Sequence, residues 1–346
     1  MLLFFFMMQK IDYWKKVICN DTLLSAIEES AIEDVATMAK LRKQWSVDEI
    51  TIAAELVGAR KKARGKLDNA TTVVSDSSGV QQATSTAIAN HKAKRFEGNT
   101  NIVDLCCGIG ADLCALPEQT EGVDIDALRC WMATENTNKT AHCCDAISYE
   151  LPSDCVIHID PARRNRAGRI FELDAMLPTF SDVVAIATQS SGGCIKLSPA
   201  INPEDIESLS LPYEIEYIEE KNHLVQGAVW FGSLAQRTGE TTATSIKLGE
   251  TFSGSREPPT FSTNINAWIL EPNVALERAG LHGTIGNNLG ATELAPGIGL
   301  LTTGENPLSP WFTSFEVLAS TSLRLEKVAD VLRDLNCTQV EVKTRG

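Results

Sequence analysis

Residues 101–112 read NIVDLCCGIGAD. A four-residue apolar run with one Asp inside it, followed by two glycines two apart, predicts a buried strand that turns sharply into a helix. Gly108 and Gly110 let the backbone turn tightly and come close to a ligand, and the N–H groups that open the following helix are free to meet an electronegative group. A dinucleotide fingerprint G-x-G-x-x-G needs glycine or alanine at 113, where this chain has Leu113.

Outward from this turn, short apolar runs alternate with helical stretches. EGVDID (121–126), HCCDA (142–146), VIHID (156–160) and CIKLS (194–198) read as further strands, with helices in ALRCWMATENT and in LPTFSDVVAIATQSS. Such alternation predicts a doubly wound parallel sheet with right-handed crossovers. YEIEYIEE (213–220) and QGAVWFG (226–232) predict an antiparallel hairpin finishing that sheet.

Upstream, residues 1–97 read as a helical region. SVDE (46–49) has the form of a capping box opening the helix ITIAAELVGARKKARGK, and VQQATSTAIANHKAKRF (80–96) reads as one more helix. Downstream, the Thr-, Ser-, Gly- and Pro-rich residues 236–262 read as a loop or linker with one strand at SIKL. Residues 263–346 then give βαββαβ, a ferredoxin-like α+β domain whose last strand is TQVEVKT (338–344).

Net charge is −14, which argues against a protein that coats nucleic acid non-specifically. The first 97 residues are nevertheless slightly basic, and ARKKARGK (59–66) and PARRNRAGR (161–169) are compact basic runs suited to phosphate. The ten cysteines form no C-x-x-C pair and predict buried free thiols in a reducing cytoplasm, with no metal site and no disulfide framework. MLLFFFMM at the start is apolar for only eight residues, short of the ~20 that span a bilayer, and it lacks a basic flank and cleavage site. It reads as a start-codon artefact or a small docking patch, and the protein as cytoplasmic.

The strand ends carry acids. Asp124 is placed to accept both hydroxyls of a ribose, while Asp126 caps the next helix. An adenosine ribose occurs in NAD and in S-adenosylmethionine alike, so Asp124 does not choose between them. Asp145 reads either as a partner for an adenine amino group or as a loop cap. IDPARR (159–164) ends a strand in Asp160-Pro161, and this pattern resembles motif IV of class I S-adenosylmethionine-dependent methyltransferases. In amino-methylating members the motif is D/N-P-P-aromatic, and its carboxylate or amide oxygen orients an exocyclic amine. Here Ala162 replaces the second proline and Arg163 the aromatic residue.

The chain is similar to a bacterial group of class I methyltransferase-like proteins with a C-terminal THUMP-like domain, distant relatives of RNA guanine-N2 methyltransferases. The similarity runs through KARGKLDN, GVQQATSTAIANHKAKRF, DLCCGIGAD, GVDID, IDPARRNRAGRIF, IKLSPAI, AVWFG, ILEP and FEVL, from about residue 40 to 346. The group ordinarily continues beyond VEVKTRG, so the THUMP-like segment is expected to be truncated. The resemblance implies a Rossmann-like sheet at 98–235 that binds S-adenosylmethionine through Asp104, Gly108, Gly110, Asp124 and Asp145, with Gln82 and Thr84 closing over it. It also implies Asp160 and Pro161 as catalytic residues, with Arg163, Arg164 and Lys196 as substrate contacts and an RNA base amine as acceptor. A cofactor-binding RNA assembly factor without catalysis, and a small-molecule or protein methyltransferase, are the alternatives from other functional classes.

Overall fold

The structure, a computed structural model, describes residues 2–29, 35–163, 173 and 176–344. It divides into two units, residues 1–213 with 227–236 and residues 214–226 with 237–346.

Among the described residues the first unit opens with six helices: α1 (Leu2–Ile18), α2 (Asp21–Glu29), α3 (Val35–Leu41), α4 (Val47–Ala63), α5 (Ser77–Gln82) and α6 (Thr86–Ala93). The apolar start is the beginning of a continuous helix, and its later residues Ile11, Trp14 and Val17 are buried. The capping box at α4 forms as expected: Ser46 accepts the Glu49 amide, and the Glu49 carboxylate accepts the Ser46 amide. The single helix expected over 80–96 is instead two, broken at 83–85. Asp76 caps the first and Ser85, in extended backbone, caps the second by accepting the Ile88 N–H, so the chain must leave helical geometry between them.

The alternating part follows as β1 (Ile102–Leu105), α7 (Ala111–Ala115), β2 (Glu121–Asp124), α8 (Ala127–Thr137), β3 (Ala141–Cys143), β4 (Val156–Ile159), β5 (Ala162–Arg163), β6 (Met176–Leu177), α9 (Phe180–Ala187) and β7 (Gly192–Leu197). After β7 come β8 (Tyr213–Glu220), which from Glu214 belongs to the second unit, and β9 (His223–Gly232), which belongs to the first from Gly227. Lys221 and Asn222 between them are both at positive φ, as a tight two-residue turn requires. Strands β3, β2, β1, β4 and β7 are parallel neighbours in that order, and residues 227–232 of β9 run antiparallel to β7. This is the expected α/β sheet with an antiparallel edge. Ile109 of the glycine turn and Leu128 and Met132 of α8 share one hydrophobic core with Trp14, Leu23, Ile27 and Leu56 of the N-terminal helices. Each such side chain contributes about 1.5–3 kcal/mol through burial, so the helices brace the turn from behind.

In the second unit, β10 (Thr241–Ser245) runs parallel to β8 and antiparallel to β11 (Glu250–Gly254). The region read as a loop with one strand at SIKL therefore holds two strands, and SIKL leads into their turn. Its strand-forming residues are threonines rather than aliphatics: Thr241, Thr242 and Thr244 are buried, and Thr244 Oγ1 donates to the buried Glu216 carboxylate at 2.5 Å. β-Branching gives strand propensity without an apolar signal.

The rest comprises β12 (Trp268–Pro272), α10 (Val274–Arg278), α11 (His282–Asn288), β13 (Thr292–Glu293), β14 (Leu301–Thr303), β15 (Phe312–Glu316) and α12 (Leu325–Asp334). Its sheet order is β13-β14-β12-β15. The fourth strand expected at 338–344 does not form, and those residues are exposed. Both edges of β12 are already taken, by β14 and β15, so the ferredoxin-like position beside the first strand is filled.

Candidate active site

Three of the five residues from Cys106 to Gly110 have positive φ: Cys106 at 60°, Gly108 at 56° and Gly110 at 82°. The two glycines do different work. A Cβ on Gly110 would lie 2.9 Å from Thr137 Cγ2 and 3.1 Å from Ala133 Cα, so this glycine lets the turn pack on α8. A Cβ on Gly108 would meet nothing within 4 Å, which leaves open space over the turn. Asp124, at the end of the neighbouring strand, fastens this surface. Its Oδ2 accepts the Gly108 N–H and its Oδ1 the Asp126 N–H, both at 2.9 Å. Burial pushes the Asp124 carboxyl above its ordinary value, and these two bonds oppose that rise. Asp126 caps α8 as expected, accepting the Leu128 N–H at 2.8 Å. Asp145 is exposed, and its Oδ1 caps its own loop by accepting the Ile147 N–H at 3.0 Å. Ile125 and Ile147 are exposed apolar side chains beside these acids.

A second set of residues forms a continuous polar chain. Register puts Asp104 of β1 directly opposite His158 of β4, and His158 Nδ1 lies 2.7 Å from Asp104 Oδ1. Lys92 of α6, 1% exposed, places its Nζ 2.9 Å from His158 Nε2 and 2.7 Å from Asp112 Oδ1 at the start of α7. Thr84 Oγ1 donates to Asp112 Oδ2 at 2.5 Å. Lys196 Nζ, on β7, donates to Thr84 Oγ1 at 3.0 Å and to Asp160 Oδ2 at 2.6 Å. Burial drives the Asp112 carboxyl up, but Lys92, together with His158 and Lys196, more than reverses this and holds it well below the usual carboxylate range. Burial likewise pulls Lys92 down, and Asp112 returns it above its ordinary value.

Of the residues predicted from sequence, Asp104, Thr84, Asp160 and Lys196 thus belong to one chain, and Gly108, Gly110 and Asp124 to the adjoining turn. Thr84 is 5% exposed and committed to Asp112 and Lys196, whereas Gln82 is exposed at the end of α5. Pro161 is buried. Arg163 pairs through its backbone with Met176 in a two-strand ribbon, and Arg164 lies outside the described residues. Lys92, Asp112 and His158 escaped the sequence reading. The available signal was a lone histidine inside the apolar run VIHI, an arrangement that demands a buried partner.

Of the ten cysteines, which form no disulfide, Cys107, Cys130, Cys155 and Cys194 are buried as expected. Cys19, Cys114, Cys143 and Cys337 are exposed: Cys19 and Cys337 follow the ends of α1 and α12, Cys114 lies in the short α7 and Cys143 ends β3. Among the described residues no helix is long and apolar enough to cross a membrane.

The charges of the polar chain do not cancel. Lys92 can only donate, so His158 Nε2 accepts from it and Nδ1 carries the ring proton toward Asp104. Three aspartates (104, 112 and 160) then face two lysines (92 and 196). Asp104 Oδ2 is buried with no hydrogen-bond partner among the described residues. A buried acceptor without a donor, beside an open glycine surface and a ribose-capable carboxylate, fits a ligand that brings a positive charge.

No protein-family model matches the chain. It is 31% identical over 301 residues to uncharacterized S-adenosylmethionine-dependent methyltransferases from two strains of Mycobacterium tuberculosis, a match covering 83% of this chain and 83% of each relative. A crystal structure from Porphyromonas gingivalis, provisionally assigned as a methyltransferase, shares the fold with a TM-score of 0.71 at 17% identity, over 94% of this chain and 86% of that one. The chain belongs to the S-adenosylmethionine-dependent methyltransferase family.

Proposed function

We propose that this enzyme methylates an amine nitrogen of an RNA base. Bound S-adenosylmethionine supplies an electrophilic methyl group on a positively charged sulfur. Asp124 would hold the ribose, Ile125 and Ile147 the flat apolar face of the base, and Gly108 the close approach of the chain to the cofactor. Asp104 Oδ2 would meet the cofactor's positive end, and Gln82 and Asp145 would flank it.

The observation that carries the acceptor assignment is the Asp160–Lys196 pair. Asp160 Oδ2 takes the Lys196 ammonium at 2.6 Å, which leaves Oδ1 to accept an N–H. Lys196 spends two of its three N–H groups on Asp160 and Thr84, leaving one to donate. An acceptor oxygen beside a donor ammonium matches an exocyclic amine next to a ring nitrogen, the edge that adenine, cytosine and guanine share. The Asp160–Pro161 segment would thereby orient the amine, and catalysis is mostly positioning, since the amine proton can leave after attack. Arg163 and Arg164 would take an RNA phosphate or stack on a base, replacing the absent aromatic platform. RNA is favoured by the basic runs on an otherwise acidic chain.

Calorimetric titration with S-adenosylhomocysteine and NAD, followed by transfer of a tritiated methyl group to total RNA, tests this reading. Binding of the former with label in RNA that is lost in Asp160→Ala supports it. Binding without RNA labelling, with label in a metabolite or protein extract, overturns the RNA assignment.

A further inference from the structure

We propose that Lys92, Asp112 and Thr84 are positioning residues, which fix the direction of every hydrogen bond that aims Lys196 at Asp160. The inference rests on the acceptor role given above to Asp160 and Lys196, but its geometry is independent of the substrate.

The argument starts at Lys92, which is almost wholly buried and can only donate. Its ammonium lies 2.7 Å from Asp112 Oδ1 as an ion pair, and Asp112 presents its other oxygen, Oδ2, as an acceptor toward Thr84. A threonine hydroxyl has one proton, and Thr84 gives it to that carboxylate at 2.5 Å. Its oxygen is then left with lone pairs alone, and these face Lys196 Nζ at 3.0 Å. Lys196 must donate there, and this second anchor holds its ammonium against Asp160. No bond in the series can reverse while Asp112 is ionised. A second branch runs from Lys92 through His158 to Asp104 with equally fixed polarity. One buried ammonium thus sets the hydrogen-bond sense on the glycine-turn side and on the acceptor side.

The decisive substitution is Asp112→Asn, which keeps shape and inverts polarity. The Asn oxygen is needed by Lys92, so its amide would donate to Thr84 Oγ1. The Thr84 proton would then point at the Lys196 ammonium. Thr84→Val removes the relay oxygen with little change of volume, and Thr84→Ser restores it.

The readout that a structural role would not move is the titration of the Lys196 amine, followed by NMR of lysine Nζ groups and assigned with Lys196→Arg. The ionisable groups around it are Asp160, Asp112 and Lys92. Loss of one charge-assisted bond lowers that titration in Thr84→Val. The fall is at least as large in Asp112→Asn and absent in Thr84→Ser. S-Adenosylhomocysteine affinity stays within about twofold of wild type in Thr84→Val, while kcat for methyl transfer drops about tenfold or more. An unchanged Lys196 titration in Thr84→Val overturns the proposal, and this variant decides alone if Asp112→Asn does not fold. A shifted titration in a protein that labels no RNA upholds the positioning chain and removes the RNA reading.

Discussion

The Asp124 carboxylate accepts the amide of Gly108 at 2.9 Å, joining the end of β2 to the turn that follows β1. The same group fastens the turn and faces the proposed ribose site, so its removal acts on binding more than on folding. Asp124→Ala is expected to weaken S-adenosylhomocysteine about 10- to 100-fold, the equivalent of one or two hydrogen bonds to a charged group. Isothermal calorimetry measures this directly. Affinity within threefold of wild type would place the ribose elsewhere.

The two glycines of the turn separate packing from ligand approach. Gly110→Ala forces a Cβ against Thr137 and Ala133 at a φ of 82° and should cost about 2–4 kcal/mol of stability. Gly108→Ala meets open space and should cost only about 1–2 kcal/mol, from its left-handed backbone. It puts a methyl group where the cofactor comes close, so the stable variant is expected to be the one that loses binding. Urea melts and calorimetry on the pair give the two quantities separately. Equal stability losses would refute the division of labour.

That contrast also shows what the sequence could reveal. The strand–turn–helix around DLCCGIG, the acids at the strand ends and the hairpin after β7 follow from local patterns of period and turn chemistry, and all of them form. The chain from Lys92 to Asp160 joins residues as far as 112 positions apart, and no local pattern connects them. Lys92 in NHKAKRF looks like one more solvated lysine, yet the helix turns it inward to meet His158. The strands at 241–254 were hidden for another reason: their buried face is threonine and serine satisfied by glutamates on β8, so polarity concealed burial.

Asp104 and Asp112 lie on the same buried chain and should give opposite pH behaviour. Burial, opposed by the His158 contacts, raises the Asp104 carboxyl above its ordinary 3.8. The folded protein therefore holds that proton longer than the unfolded chain. Its charge costs stability, a cost absent below 3.8 that grows as pH rises through the folded value. Asp104→Asn keeps an oxygen for His158 Nδ1–H and removes the charge, so it should stabilise the protein near pH 7, with the gain vanishing below pH 3.8. It should also weaken S-adenosylmethionine binding. Asp112 is held low by Lys92, so its contribution is present above 3.8 and is lost as pH falls below it. Asp112→Asn should cost about 3–5 kcal/mol near pH 7, because Lys92 stays buried without its counter-charge. Thermal melts from pH 3 to 8 distinguish the two; shifts of the same sign would contradict the charge assignment.

Lys139 tests whether the helix that follows the glycine turn is held from its far end. α7 is only five residues long, so few of its carbonyls are met within the helix. Lys139 Nζ reaches in from the loop after α8 and donates to the carbonyls of Leu113, Leu116 and Pro117 at 2.7, 2.7 and 3.1 Å. Three charge-assisted bonds from one 6%-exposed lysine replace the absent next turn. Lys139→Met preserves the aliphatic stem and strands those oxygens, at an expected cost of about 2–4 kcal/mol. Asp112 begins the same short helix, so its loosening should reach the polar chain. Hydrogen exchange at the amides of 111–116 is expected to quicken, together with that of the Asp112-linked segment 84–86. Faster exchange at 111–116 alone would mean that α7 melts without disturbing the acceptor side, and that the anchoring of Thr84 owes nothing to Lys139.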